Sequence, residues 1–282
     1  MKTITIGDIT VPAIGLGTWH MGDHAETRDA EISAIRAGVE AGARVIDTAE
    51  MYGSGNSESL VGEAINGLDR TKLFIIDKVL PTNASLEQLP KSLDASLAKV
   101  GTDYFDLYLY HWRGGVPLSE TVEALRNVQE EGKIRQWGVS NFDVSDMEEL
   151  LKLPGGKGVA ANEDLYNLGS RGTEFDLQPW QEKRKIPFIA YTPVAQGDRF
   201  GKNLTKNKVI QAIAGNHKAT PYQILLAWVI RNGNVLAIPQ SGDPVHAREN
   251  VEAANIELSK EELFMIDSEF PAPTSKQPLD IL

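Results

Sequence analysis

The sequence predicts an α/β chain in which eight short, buried strands alternate with amphipathic helices. Three observations carry that expectation. Short runs rich in Ile, Val, Leu and Tyr recur along the chain, as strands buried on both faces do. Stretches with apolar residues three and four positions apart separate them. Several of the runs end in Asp, Lys, His, Ser or Asn, side chains that chemistry can use.

Taken in order, the chain opens with a small hairpin. Thr3-Ile4-Thr5-Ile6 and Ile9-Thr10-Val11 flank a Gly7-Asp8 turn. Strands are then expected at 13–16, 44–46, 73–76, 104–110, 134–138, 158–161, 188–190 and 235–238. Helical stripes fall between them. One is Ile32, Ile35 and Val39, before Gly42; a second is Leu86, Leu89, Leu93 and Leu97. Val122, Leu125 and Val128 form a third, and Ile224, Leu225, Trp228 and Val229 a fourth. With no interdomain linker, low-complexity tract or short repeat, residues 1–282 read as one domain.

Two architectures fit this alternation: a closed (β/α)8 barrel behind the hairpin, or an open doubly wound sheet. Composition does not separate them. Gly15-x-Gly17-x-x-His20 lacks the third glycine of the dinucleotide-binding fingerprint of doubly wound sheets, and no Gly-Lys-Ser/Thr loop is present. Both points favour the barrel.

Bulk chemistry narrows the function. Hydrophobic residues make up 41% and charged residues 24%, the profile of a globular protein with an ample core. There is no cysteine, so disulfides, thiolate nucleophiles and cysteine-bound zinc are excluded. No His/Asp/Glu cluster has metal-ligand spacing, so no metal is expected. The net charge of −11 disfavours nucleic acid and anionic membranes, while still permitting a local basic pocket. Met1-Lys2-Thr3-Ile4 starts no signal peptide, and no apolar run approaches the roughly 20 residues of a membrane span. A cytoplasmic protein is expected.

In a barrel, active sites gather at the C-terminal ends of the strands. The strand at 44–46 runs into Asp47-Thr48-Ala49-Glu50-Met51-Tyr52-Gly53. That at 73–76 runs into Asp77-Lys78, and that at 104–110 into His111-Trp112. The next ends in Gly138-Val139-Ser140-Asn141. Singly, each has a plain explanation. An Asp caps the following turn, a Lys is solvated, and a His is a hydrogen-bonded structural residue. Together, in consecutive loops, they can share one mouth.

These residues resemble the aldo-keto reductase family. The segment from Asp47 to Gly53, followed by Gly55 and Glu58, looks like that family's signature. So do Gly15-Leu16-Gly17-Thr18-Trp19, Gly138-Val139-Ser140-Asn141-Phe142, Tyr191-Thr192-Pro193 and Ile238-Pro239. The resemblance covers nearly the whole chain, in order and at family spacing. It implies a barrel enzyme that reduces aldehydes or ketones with a nicotinamide cofactor. It also implies a catalytic tetrad of Asp47, Tyr52, Lys78 and His111. A carbonyl that accepts hydride becomes an alkoxide and needs a proton. Tyr52 would give it, Lys78 would lower the tyrosine's pKa, Asp47 would hold the lysine, and His111 would orient the carbonyl.

By the same resemblance Ser140 and Asn141 contact the nicotinamide carboxamide and Tyr191 stacks on the ring. Gly17, Thr18, Trp19, Asp47, Thr192, Pro193, Val194, Gln196 and Ile238 complete that part of the cofactor site. Glu163 stands where the family commonly has Gln. Its carboxylate can accept from the carboxamide NH2, and it adds a negative charge near the ring. At the far end the family commonly has Lys-Ser, then Arg, then Glu-Asn. Here the run is Gln240-Ser241, then His246, then Glu249-Asn250, with Arg248 close by. Histidine is a weak substitute for a bidentate arginine on phosphate. NADPH (NADP+) is the expected cofactor, with NADH admitted because of Gln240 and His246.

Trp19, Tyr52, His111 and Trp112 are the expected substrate contacts, and Met21 and Met51 can wall the pocket or pack beneath the loops. His111-Trp112-Arg113-Gly114 and Leu165-x-x-Leu168-Gly169-Ser170-Arg171-Gly172 resemble a bacterial subgroup that reduces methylglyoxal and similar small aldehydes. Arg113 can attract such dicarbonyls or simply face solvent. The family is often monomeric, so a monomer is expected. Two other classes compete: a cofactor-sensing barrel without catalysis, and a barrel hydrolase or isomerase with a carboxylate base. All four tetrad positions speak against the first, and the motifs against the second.

Overall fold

The computed structural model describes residues 1–198 and 203–282. The hairpin is β1 (Thr3–Ile6) and β2 (Ile9–Pro12), paired antiparallel. Strand and helix then alternate: β3 (Leu16–Gly17), α1 (Arg28–Glu40), β4 (Val45–Asp47), α2 (Asn56–Ile65), β5 (Phe74–Val79) and α3 (Gln88–Val100). β6 (Phe105–Tyr110), α4 (Leu118–Glu130), β7 (Ile134–Ser140), α5 (Val144–Lys152), β8 (Asn162–Leu165) and α6 (Leu177–Arg184) follow. The chain continues with β9 (Phe188–Tyr191), a one-turn α7 (Ala195–Asp198), α8 (Lys208–His217), α9 (Pro221–Val229) and β10 (Val235–Ala237). Two helices, α10 (Pro244–Glu252) and α11 (Lys260–Glu269), come last.

Strands β3 to β10 lie side by side in chain order. Parallel bridges from Ile14 to Ala237 and from Gly17 to Gln240 join the last strand to the first. The Gly15 amide donates to the Ala237 carbonyl at 2.8 Å and the Gly17 amide to the Pro239 carbonyl at 3.0 Å. The sheet is therefore closed, and the expected (β/α)8 barrel is what the chain forms. The seam demands glycine at 17: a Cβ there would lie 2.6 Å from the Ile238 carbonyl oxygen.

Strand side chains alternate between the barrel axis and the helices. Val45, Phe74, Ile76, Leu107, Leu109, Ala161, Ile189, Leu236 and Ile238 form the inner core. Ile4, Ile6 and Val11 of the hairpin join the same cluster, so the hairpin plugs the barrel's floor. Their strand neighbours Ile46, Ile75, Tyr108, Tyr110, Phe188 and Val235 face outward and pack in the outer core with Leu60, Leu93, Leu125 and Trp228. Continuing the inner alternation upward puts Asp47, Lys78, His111, Ser140, Glu163 and Tyr191 at the mouth.

Two expectations need correcting. The sixth strand, expected at 158–161, is Asn162–Leu165. Residues Gly156–Gly158 form a tight 3-10 turn instead, and the polar run Asn162-Glu163-Asp164 hid the strand from a hydrophobic reading. Leu86 does not belong to the second helical stripe: α3 starts at Gln88, and Leu86 is exposed.

Candidate active site

Lys78 organises the mouth. It is fully buried on β5. Its ammonium donates to Asp47 Oδ1 at 2.6 Å, Asp47 Oδ2 at 2.7 Å, the Thr48 carbonyl at 3.1 Å and the Tyr52 hydroxyl oxygen at 3.2 Å. Glu163 Oε1 lies 3.4 Å from the same ammonium. Asp47 comes from the end of β4, and Tyr52 from the tight turn after it. Gly53, Ser54 and Gly55 in that turn have positive φ and reverse the chain, which brings Tyr52 back over the barrel. The His111 ring packs edge-on against Tyr52, with 6.0 Å between ring centres. The four residues expected to act together thus share one buried cluster.

Burial sets the protonation states. Lys78 is pushed well above its ordinary value: burial opposes its charge, but Asp47, Glu163 and Tyr52 together outweigh that. Tyr52 is raised, not lowered as the sequence suggested. Its burial outweighs Lys78, and Asp47 and Glu163 add to the rise. The hydroxyl is therefore firmly protonated at neutral pH. His111 is pushed down to about 2 by burial and by Lys78. It is a neutral imidazole, and its Nδ1 is buried without a hydrogen-bond partner. Glu163 is raised well above the carboxylate range by burial, then by Asp47, and its Oε2 is buried and unpartnered.

Beside the tetrad stands a second linked group. The Tyr191 hydroxyl donates to Asn141 Oδ1 at 2.8 Å. Asn141 Nδ2 donates to the His111 carbonyl at 3.1 Å and lies 3.0 Å from Ser140 Oγ, which itself donates to the Glu163 carbonyl at 2.8 Å. Asn141 (φ 59°) and Thr192 (φ 54°) adopt left-handed backbone, bending β7 and β9 out over the mouth. Thr192 also offers its carbonyl to Asn167. Beyond it Pro193 is buried, and Val194 and Gln196 are half-buried. A polar cluster of this kind, with the Tyr191 ring beside it and unpartnered buried atoms on His111 and Glu163, fits a nicotinamide. Thr18 differs: its side chain is fully buried, bonded to the Asp47 carbonyl and Ser57. Through these bonds it ties the loop after β3 to the end of β4 and the start of α2.

The far end of the expected cofactor site lies across the seam. Gly17, Ser241 and Asn250 line a small cleft there with Leu16 and Pro239. Gln240 and His246 are exposed, and Glu249 is half-buried. Two acidic residues here escaped the sequence reading. Asp243 Oδ1 accepts from the Val245 and His246 amides and so caps α10. Glu31, buried on α1, lies under Gly242 and binds the Gly22 amide and Thr27 hydroxyl. A helix-start pattern would have found Asp243; no local signal marks Glu31. Arg248 is turned away toward Glu40, at 3.4 Å.

Aromatic rings edge the mouth. Trp19 is half-buried, 6.5 Å from the Tyr52 ring, and Trp112 lies 4.7 Å from the His111 ring with over a third of its surface exposed. Met51 is exposed, whereas Met21 is buried and packs beneath the loop. Arg113 does not wait for a substrate: Asp146 and Glu149 of α5 hold it at 3.0 and 2.6 Å.

No helix among the described residues is long and apolar enough to cross a membrane. The Aldo/keto reductase family model matches residues 13–269. A methylglyoxal reductase of Escherichia coli, YeaE, is 48% identical, covering 98% of this chain and 97% of its own. A glyoxal reductase of Bacillus subtilis is 32% identical over 92% of this chain and 89% of its own. The crystal structure of an aldo/keto reductase from Klebsiella pneumoniae, with NADP and acetate, superposes with a TM-score of 0.98. That protein is 46% identical, and the match covers 100% of this chain and 99% of that one. On the closed barrel, the lysine-centred mouth and these likenesses, the chain belongs to the aldo/keto reductase family.

Proposed function

We propose that this protein, acting as one catalytic unit across residues 1–282, is an NADPH-dependent reductase of small aldehydes, methylglyoxal among them. The observation that carries the reading is the Asp47–Lys78–Tyr52 line beside a neutral His111. Because Lys78 donates to the Tyr52 oxygen, the phenolic hydrogen is free to point at a substrate. Tyr52 is the proton donor. When it has given its proton, the Lys78 ammonium at 3.2 Å stabilises the tyrosinate. Asp47 keeps that ammonium charged and in place. A neutral His111 can donate one hydrogen bond to the carbonyl oxygen, which fixes its orientation and steadies the charge that grows there.

A bound reduced nicotinamide would supply the hydride. Ser140, Asn141, Glu163 and Tyr191 would hold its ring. Gly17, Trp19, Thr192, Pro193, Val194, Gln196 and Ile238 would flank it, and Gln240, Ser241, His246, Glu249 and Asn250 would hold the adenylate end. NADPH is supported by the Klebsiella pneumoniae structure with NADP. Trp19 and Trp112 would wall a small apolar pocket, which suits short aldehydes, and the named activities of the Escherichia coli and Bacillus subtilis relatives support that class.

The test is oxidation of NADPH and NADH, followed at the absorbance of the reduced nicotinamide, with methylglyoxal and with an aromatic aldehyde. Turnover with NADPH is expected, faster on the small aldehyde. Failure of both cofactors to bind or turn over would overturn the reading.

A further inference from the structure

Glu163 is a third ionisable group on a lysine that already has a counterion. Its Oε1 lies 3.4 Å from Lys78 Nζ, whose other contacts include both oxygens of Asp47. Oε2 is buried and makes no hydrogen bond. The groups that face it from other elements are Lys78 on β5, Asp47 on β4, Tyr52 in the following turn and Tyr191 on β9. Its strand neighbour Asp164 points to the outer side of the sheet. Two carboxyl groups thus share one ammonium in a buried site. If both ionised, the cluster would carry an uncompensated negative charge, which a buried site resists. Glu163 therefore keeps its proton near neutral pH, while Asp47, bonded to Lys78 through both oxygens, is the ionised partner.

A cationic ring brought next to Glu163 changes that balance. Resting on the reading of the mouth as a nicotinamide site, we propose that Glu163 makes cofactor binding redox-selective and proton-linked. It ionises to face the positively charged oxidised ring and stays a neutral acid beside the uncharged reduced one. Binding of NADP+ then expels one proton to solvent, leaving a carboxylate against the ring. Binding of NADPH expels none. An amide at this position, which cannot ionise, would lack the effect. The net charge of the cluster decides the sign: Lys78 and Asp47 cancel, so ionised Glu163 and the oxidised ring cancel as a second pair.

The experiment is a pair of titrations, NADP+ and NADPH separately, from pH 6 to 9, read by quenching of tryptophan fluorescence. Calorimetry in two buffers of different ionisation enthalpy counts the protons. The ratio of the two dissociation constants is the readout. Both forms carry the same 2′-phosphate, whose second pKa of about 6 then cancels. In the native protein the ratio should shift toward NADP+ by about tenfold for each pH unit over which the full proton is released, which is about 1.4 kcal/mol per unit. Proton release should accompany NADP+ alone. In Glu163→Gln, of the same shape, the ratio should be flat and the release absent. Equal pH behaviour of the two cofactors in the native protein would overturn the proposal while leaving the reductase reading intact. If neither cofactor binds the native protein, both fall.

Discussion

Replacing Asp47 by Asn should destabilise the protein less than the loss of a buried ion pair usually does, because Glu163 stands ready to replace it. Stripping one partner from a buried pair costs about 3–5 kcal/mol, chiefly for the charge left behind. Lys78 is fully buried, so it feels the full penalty. The new Asn still accepts one hydrogen bond, worth about 1 kcal/mol. Glu163 Oε1, 3.4 Å from Nζ, can give up its proton and become the new counterion. At an effective dielectric near 20, that distance corresponds to several kcal/mol of attraction, of which ionising the buried acid consumes most. A cost of about 2 kcal/mol is left for Asp47→Asn at pH 7. Glu163→Gln alone should cost nothing at pH 7 or stabilise, since it replaces a buried carboxyl held well above its ordinary pKa, with an unpartnered oxygen, by an amide that binds no proton. The double variant leaves Lys78 with no carboxylate and should cost about 4–5 kcal/mol, so the coupling is at least about 2 kcal/mol. Urea unfolding of the four proteins measures this cycle. Additive costs, within about 0.5 kcal/mol, would refute the claim that the two acids share one lysine.

Three further outcomes follow from the same geometry. Tyr52→Phe should lower kcat by at least about a hundredfold, within the range of a lost general acid, while NADPH still quenches tryptophan fluorescence; near-normal turnover refutes Tyr52 as the donor. Asp164→Asn should raise the melting temperature at pH 8 and lose that advantage below about pH 4. Asp164 is buried with both oxygens unpartnered, and burial raises it well above the carboxylate range. Its cost is thus absent below the unfolded pKa and grows as pH rises toward the folded one; a pH-independent effect would contradict this. Gln240→Lys should tighten NADPH several-fold at low salt and leave NADH unchanged, because Gln240 is exposed beside the Ser241 cleft and Asp243 already occupies the start of α10; equal tightening of both cofactors would place the phosphate elsewhere.

The parts of this molecule that sequence revealed are those with a local signature. Alternating apolar strands and helical stripes marked an α/β chain, the missing dinucleotide fingerprint favoured the barrel, and the resemblance to the aldo-keto reductases picked the tetrad out of the strand-end polar residues. What stayed hidden depends on neighbours distant in sequence. Nothing around Tyr52 says that its burial would outweigh Lys78, since Asp47 and Glu163 reach it from other strands. Arg113 reads as a free cation until α5 brings Asp146 and Glu149 to it. Glu31 lies next to the Ser241 loop only because α1 and α10 pack together across the barrel seam. The strand Asn162–Leu165 was misjudged because its polar side chains serve the mouth and the outer wall, and hydrophobicity is silent where chemistry has taken the positions.

The seam between Gly17 and Gln240 also has a consequence for the protein's birth. Its two sides are made at opposite ends of synthesis, and ribosomes add about 5–20 residues per second. The edge that carries Gly17 and Trp19 must therefore wait tens of seconds for its partner strand. Until then the sheet has two open rims, the floor plug has only a partial ring to fill, and the mouth lacks the side that Gln240 and Ser241 provide. A nascent chain arrested before β10 should be captured by chaperones that bind exposed strand edges. Cofactor binding should switch on only when the last strand emerges, so that the enzyme is inert for most of its own translation.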